Sequence, residues 1–121
     1  MKIKFTTFAA VVAFVICITV SAQQAFSQDI THLRLHRMGD NASVNWGTTN
    51  PGLVSYFLIE RSYDGEIFET VAEVTPTTAS NYRYRDVTVL PGMISYRITS
   101  FNADGSSSQS PVEILRLTRR R

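Results

Sequence analysis

YFLIERSYDGEIF, Tyr56 to Phe68, decides the fold of this 121-residue chain. Along it Phe57, Ile59 and Arg61 share one face while Tyr56, Leu58 and Glu60 share the other, the period-two alternation of a β-strand. Both faces are partly apolar, which predicts a central strand covered on more than one side. Ser62-Tyr63-Asp64-Gly65 follows as a tight turn, with Asp64-Gly65 able to supply the left-handed backbone a hairpin needs. Residues 67–74 read as the return strand. A second block, SYRITSFNADGSSSQS from Ser95 to Ser110, repeats the plan of an alternating strand followed by an Asp-Gly turn.

Outward from these blocks the same alternation recurs, and no window carries a helical stripe. Leu33 and Leu35 lie opposite Arg34 and His36 on a first strand. Gly39-Asp40-Asn41 then turns the chain into Ala42, Val44 and Trp46 alternating with Ser43 and Asn45, so the first two strands form a hairpin. Asn50-Pro51-Gly52 presets a turn. After the linker TPTTAS, in which Pro76 discourages ladder pairing, Tyr82 and Tyr84 alternate with Arg83 and Arg85. Charged side chains on one face suit an edge strand that resists pairing with another molecule. Leu90-Pro91-Gly92 leads into MISYRITSF, and residues 112–117 close the domain. About seven strands spaced by turns predict an all-β fold, a seven-stranded antiparallel β-sandwich.

The chain opens with Lys2 and Lys4, an apolar run over Phe8 to Val20 and the small and polar residues SAQQAFSQ. This is the order of a secretory signal peptide. The apolar run is shorter than the roughly 20 residues a membrane span requires, so cleavage is expected after Ala22, with a second site after Ser27, and a retained N-terminal anchor is the alternative. The expected organisation is a signal peptide over 1–22, a flexible lead-in over 23–29, the sandwich over 30–118 and a basic tail over 119–121. Removing 22 of 121 residues leaves 99, enough for one modest core. It also removes both lysines, so 10 arginines remain against 10 acidic residues and the formal charge is zero. Three of those arginines are Arg119, Arg120 and Arg121, which leaves the globular part slightly acidic and argues against a nucleic-acid binder. Cys17 lies in the apolar run, where Ile16 occupies the position a lipobox gives to a small residue, so lipidation is not expected.

With Trp46 on the second strand, Leu90 ahead of Tyr96 and Ile98, and then Asn102-Ala103-Asp104-Gly105, the chain resembles the fibronectin type III family. Phe57 to Phe68, Tyr82 to Asp86 and Tyr96 to Gly105 are similar to a bacterial subgroup found in exported adhesins and surface enzymes, commonly ahead of a C-terminal sorting domain. The resemblance spans Leu33 to Leu117. It implies a sandwich core built on Trp46, Phe57, Ile59, Leu90, Tyr96 and Ile98. It also implies that Tyr96 makes a tyrosine corner, its hydroxyl bonded to upstream backbone near Leu90. No sorting domain follows in this sequence, and no Arg-Gly-Asp follows Tyr96, so neither sorting-domain attachment nor integrin binding is implied.

No catalytic, cofactor-binding or metal-ligating residue is assigned. His32 and His36, on a strand, stand roughly 13 Å apart, too far for one metal ion. No Gly-x-Ser-x-Gly elbow is present, and Glu60, Asp64, Glu66 and Glu69 lie along one hairpin without a walled cleft. Glu60 and Arg61 fall on opposite faces and are expected to pair across the sheet with residues such as Arg83, Arg97 or Asp86. Tyr63, Tyr82 and Tyr84 are the candidate ligand-contact residues, with covering of the core as the competing role for the tyrosine pair. The expected function is an exported, periplasmic or secreted, non-catalytic binding or scaffolding module acting by protein–protein contact, with a protein or glycan partner at the cell envelope. A carbohydrate-binding module using the three tyrosines is the alternative.

Overall fold

A computed structural model describes residues 30–118; the expected signal segment, lead-in and basic tail lie outside the described residues. Eight strands follow in order: β1 (Ile30–Met38), β2 (Asn41–Thr48), β3 (Val54–Ser62), β4 (Glu69–Val74), β5 (Asn81–Asp86), β6 (Gly92–Asn102), β7 (Ser107–Gln109) and β8 (Glu113–Leu117). One 3-10 turn, Pro51–Leu53, precedes β3 where Pro51 sets the backbone angle. No helix among the described residues is long and apolar enough to cross a membrane.

The strands form two antiparallel sheets, a three-stranded one ordered β1-β2-β5 and a five-stranded one ordered β4-β3-β6-β7 with β8 also on β6. The count is eight rather than the expected seven. β7 pairs Thr99 to Phe101 and β8 pairs Gly92 to Tyr96, so the two follow each other along β6. Pro111, lacking an N–H, stands in the interruption.

β3 is central as its alternation predicts, with β4 on one side and β6 on the other. Phe57 and Ile59 are fully buried, and they meet Val44 and Trp46 of the smaller sheet and Ile94, Tyr96 and Ile98 of β6 in one core. Trp46 packs edge-on against Phe57, ring centres 5.6 Å apart. Aromatic pairs in this arrangement add about 0.5–1.5 kcal/mol beyond their area burial.

Two local expectations are corrected. The loop after β3 spans residues 63–68, and the return strand begins at Glu69 rather than Ile67, which is 77% exposed. Only Gly65 takes a positive φ, 79°, so Asp64-Gly65 is not a two-residue primed turn. Asp64 instead organises the loop as an acceptor: Oδ1 receives the N–H groups of Glu66 and Ile67, each at 2.9 Å, and the Ser62 hydroxyl at 2.8 Å. Those donors hold its carboxyl down at about 2.

The second correction concerns Leu90. Its side chain is 62% exposed, and the core position is filled by Val89. Leu90 contributes its backbone, donating N–H to Tyr63 Oη at 3.0 Å.

Candidate functional site

Three groups of polar or aromatic residues compete for a functional role, and the fold assigns each a different environment. The first is a buried cluster joining the sheets. Asp86, at the end of β5, is fully buried and accepts at Oδ2 from Tyr96 Oη at 2.7 Å and from Arg61 Nη1 at 2.8 Å. Its Oδ1 accepts from Thr88 N at 3.2 Å and Thr88 Oγ1 at 3.1 Å. Arg61 Nη2 reaches Glu69 at 2.8 Å, while its Nε is buried without a partner.

Burial pushes the Asp86 carboxyl up, but the hydrogen bonds from Tyr96 and Arg61, the Arg61 charge and Thr88 outweigh it, and the group lies below the ordinary aspartate range. The Tyr96 phenol is raised by burial and then by its bond to Asp86. Burial lowers Arg61, and its bonds to Glu69 and Asp86 reverse that, leaving it raised. Each member therefore stabilises the existing protonation state of the others. The bond expected from Tyr96 to backbone near Leu90 is corrected: its hydroxyl donates instead to the side-chain carboxylate of Asp86, four residues before Leu90.

The second group is the three tyrosines. Tyr82 stacks on Trp46, ring centres 5.8 Å apart, and lies 4.9 Å from Phe57. Its hydroxyl both accepts from Thr77 N and donates to Thr77 O, each at 3.2 Å, tying down the linker before β5. Tyr84 is half-buried and packs against the core. Both therefore pack against the core while staying half-buried, and Tyr82 also lines the depression on the outer face. Tyr63 is 43% exposed, but its hydroxyl holds Leu90 and its ring faces the Arg61 guanidinium at 5.2 Å.

The third group comes from the outward positions of the three-stranded sheet. Strand register places them in three rows: His32, Gly47 and Asn81; Arg34, Asn45 and Arg83; His36, Ser43 and Arg85. Arg34, His36, Arg83 and Arg85 are exposed, and the rows contain no carboxylate. Arg83 Nε donates to Asn45 Oδ1 at 3.0 Å, and Asn45 Nδ2 donates to Ser43 Oγ at 3.1 Å. With its amide oxygen turned toward Arg85, Asn41 accepts from Nη2 at 3.0 Å and Nε at 3.1 Å. His32, Asn45, Trp46, Asn81, Tyr82 and Arg83 border an open depression of about 450 Å³. At Gly47 a β-carbon would come within 2.5 Å of Thr31 Oγ1 and 2.6 Å of His32 Cε1, so the missing side chain lets the His32 ring lie over β2.

The outer face of the larger sheet has a different character. Tyr56 stacks on Phe101 at 4.8 Å, Arg97 lies 4.0 Å from the centre of the Phe68 ring, and Glu60 pairs with Arg97 at 3.3 Å. Glu60 and Arg61 thus find the cross-sheet partners expected of them, Arg97 and Asp86. The two histidines fall in different rows, His32 opposite Gly47 and His36 opposite Ser43.

The arginine face escaped the sequence reading because its members come from three separate segments. Alternation assigned Arg34, Asn45 and Arg83 to outward positions, but the β2–β5 pairing that aligns them skips two intervening strands.

No family model and no curated protein matches the chain. Solved structures do. Pectate lyase Pel3 from Pectobacterium carotovorum is similar at 23% identity and a TM-score of 0.59, over 71% of this chain and 26% of that one. Pectate lyase PelI from Erwinia chrysanthemi, in complex with tetragalacturonic acid, matches at 16% and 0.58 over 68% and 27%. A β-1,2-glucanase from Parabacteroides distasonis matches at 19% and 0.54 over 76% and 14%. At these identities the likeness is one of fold, and the chain spans about a quarter or less of each of these proteins.

Proposed function

We propose that the chain is an exported, non-catalytic binding module with a fibronectin type III-like sandwich, acting on an anionic partner at the cell envelope or in the secreted fraction. The observation that carries the binding role is the open outer face of the three-stranded sheet, where three arginines and two histidines stand without a carboxylate. A flat surface of one sign attracts and orients a partner of the other sign. Catalysis would need a nucleophile or an acid–base pair facing a walled cleft. Here the strongly shifted groups Arg61, Asp86 and Tyr96 are committed to one another inside the core.

The family reading is supported by the core tryptophan on β2, by the buried tyrosine on β6 with its hydroxyl bonded ten residues upstream, and by the division of the strands between a three-stranded and a larger sheet. The solved neighbours are named as pectate lyases and a β-1,2-glucanase, and the chain corresponds to a minor share of each. That size relation suits an accessory module that works beside polysaccharide chemistry. The tyrosine platform loses support, since Tyr82 and Tyr84 cover the core.

The test is affinity capture from envelope fractions, comparing the exported protein with a variant carrying Arg34→Ser, Arg83→Ser and Arg85→Ser. Material held by the wild type and released by salt should be lost from the variant; equal retention by both would sink the reading. The intact mass of the exported protein should correspond to cleavage after Ala22. A full-length mass confined to the membrane fraction would overturn export with cleavage.

A further inference from the structure

We infer that the outer face of the three-stranded sheet binds a linear polysaccharide that carries carboxylates. This rests on the binding-module reading and names the ligand class of that same surface.

Charge is segregated between the sheets. Among residues 30–118 seven arginines stand against nine carboxylates, so the described domain is acidic as a whole. The strands of the smaller sheet nevertheless hold Arg34, Arg37, Arg83 and Arg85 against one carboxylate, the fully buried Asp86. The strands of the larger sheet hold Glu60, Glu69, Glu73 and Glu113 against Arg61, Arg97 and Arg116, so they carry a net negative charge where the smaller sheet carries a net positive one. Among the described residues no carboxylate pairs with Arg34, Arg83 or Arg85; the three ion pairs belong to Arg61 and Arg97. Three unneutralised guanidinium groups on one face call for negative charge from outside.

The arrangement selects the kind of anion. Arg83 and Arg85 are two residues apart on one strand, roughly 6.6 Å, and Arg34 lies two strands from Arg83, roughly 9.5 Å. Charges laid out across a plane match a chain with repeated charges better than a single small anion, on which they would converge. Arg83 commits Nε to Asn45, and Arg85 commits Nε and Nη2 to Asn41, which fixes both planes and leaves guanidinium donors of the kind that pair with a carboxylate. Asn45 stands between Arg34 and Arg83, and the exposed Asn81 follows Arg83 toward His32 along the face. Amide side chains both give and accept hydrogen bonds, as the hydroxyls of a sugar do. The depression beside His32 is open to solvent, a shape that admits a chain lying across the face.

Other anionic partners fit less well. A lipid surface is held by apolar side chains inserted beneath the basic ones, and the three rows contain none; Met38 and Val87, the nearest exposed apolar residues, follow the last row in sequence. Single-stranded nucleic acid requires aromatic stacking platforms, and the only aromatic rings in the rows are the imidazoles of His32 and His36. A protein interface is anchored by buried aromatic or aliphatic side chains; the three rows hold none, and Met38, opposite Asn41, is the exposed apolar residue that continues the face beyond His36.

The experiment measures binding of the exported protein to polygalacturonate, to the fully methyl-esterified polymer, to phosphatidylglycerol vesicles and to double-stranded DNA. Polygalacturonate should bind, and binding should weaken between about 50 and about 300 mM salt as screening shortens. The ester, with the same backbone and no charge, should not bind. Arg34→Ser, Arg83→Ser and Arg85→Ser together should weaken binding by roughly tenfold or more. Arg116→Ser, which removes one charge from the other sheet, should leave it within about twofold, whereas Arg83→Ser alone, an equal charge change on the binding face, should weaken it measurably more. If the serine variant loses urea stability, glutamine at the same three positions, which keeps the stem to Cδ without the charge, replaces it. Equal binding of acid and ester, no polygalacturonate binding at low salt, tighter binding to vesicles or DNA, or indifference to the three arginines would each overturn the inference. Envelope capture separates the two levels: if it still depends on the arginines while polygalacturonate is ignored, the ligand class falls and the binding module stands.

Discussion

Asp86 accepts hydrogen bonds from β3, β6 and its own turn, so single residues at this corner carry more of the fold than their size suggests. Tyr96→Phe removes one charge-assisted donor from a carboxylate with no access to water; a loss of about 1.5–3 kcal/mol is expected from urea unfolding. Unchanged urea stability would show that Tyr96 contributes only its ring. The protonation states set the pH range of this contribution. An unfolded aspartate titrates near 3.9 and folded Asp86 lies lower. The unfolded chain therefore takes up its proton first, and stability present above about pH 5 is lost as pH falls through the folded value. Tyr96 acts in the opposite direction: its folded phenol is raised above the unfolded value near 10, so its share holds below that pH and is lost as pH rises. Urea midpoints measured across pH should fall at both ends, and Tyr96→Phe should reduce the alkaline fall. The strand face of Trp46 was legible from alternation, and the core places of Trp46 and Tyr96 came from the family resemblance. The Asp86 acceptor was not legible, since the residue that meets a hydroxyl across a core depends on how the sheets are stacked.

β5 illustrates how an element serves two faces at once. It is an edge strand of the smaller sheet, bonded only to β2, with Tyr82 and Tyr84 turned inward and Arg83 and Arg85 outward. The arginines keep that edge from extending into another molecule. Arg83→Val with Arg85→Val keeps the strand pattern and removes the guard, so concentration-dependent self-association is expected in sedimentation or size-exclusion measurements. A variant that stays monomeric at all concentrations would remove the edge-guard role while leaving the ligand role to its own test. At this scale the sequence was read well where strands are consecutive: the β1–β2 and β3–β4 hairpins follow from alternation around Gly39 and Gly65, both of which take the positive φ that glycine permits. It was read less well at β7, Ser107–Gln109, a short strand ahead of the expected closing segment 112–117 where the serine-rich run gives no alternating apolar signal.

Across the whole molecule one core joins both sheets, with Trp46 at its centre and fully buried. Trp46→Ala should cost about 3–5 kcal/mol, a large share of the stability of a domain this small. As the chain has one tryptophan, its fluorescence reports that core directly. Urea transitions followed by Trp46 emission and by far-ultraviolet circular dichroism should coincide, as for a single cooperative unit; separated midpoints would mean that the sheets come apart in stages. Arg37 adds a further tie, bonding Thr118 beyond β8 from the end of β1. By itself the sequence determined the all-β class, the alternation of side chains along the strands and the central place of Tyr56 to Ser62, because side-chain alternation and turn chemistry are local properties. Only the tertiary structure decided that Asp86 meets Arg61 and Tyr96, that Tyr82 lies on Trp46, and that Arg34, Arg83 and Arg85 share one open face. Those contacts join residues far apart in the chain, and they depend on strand order and sheet stacking, which no local pattern encodes.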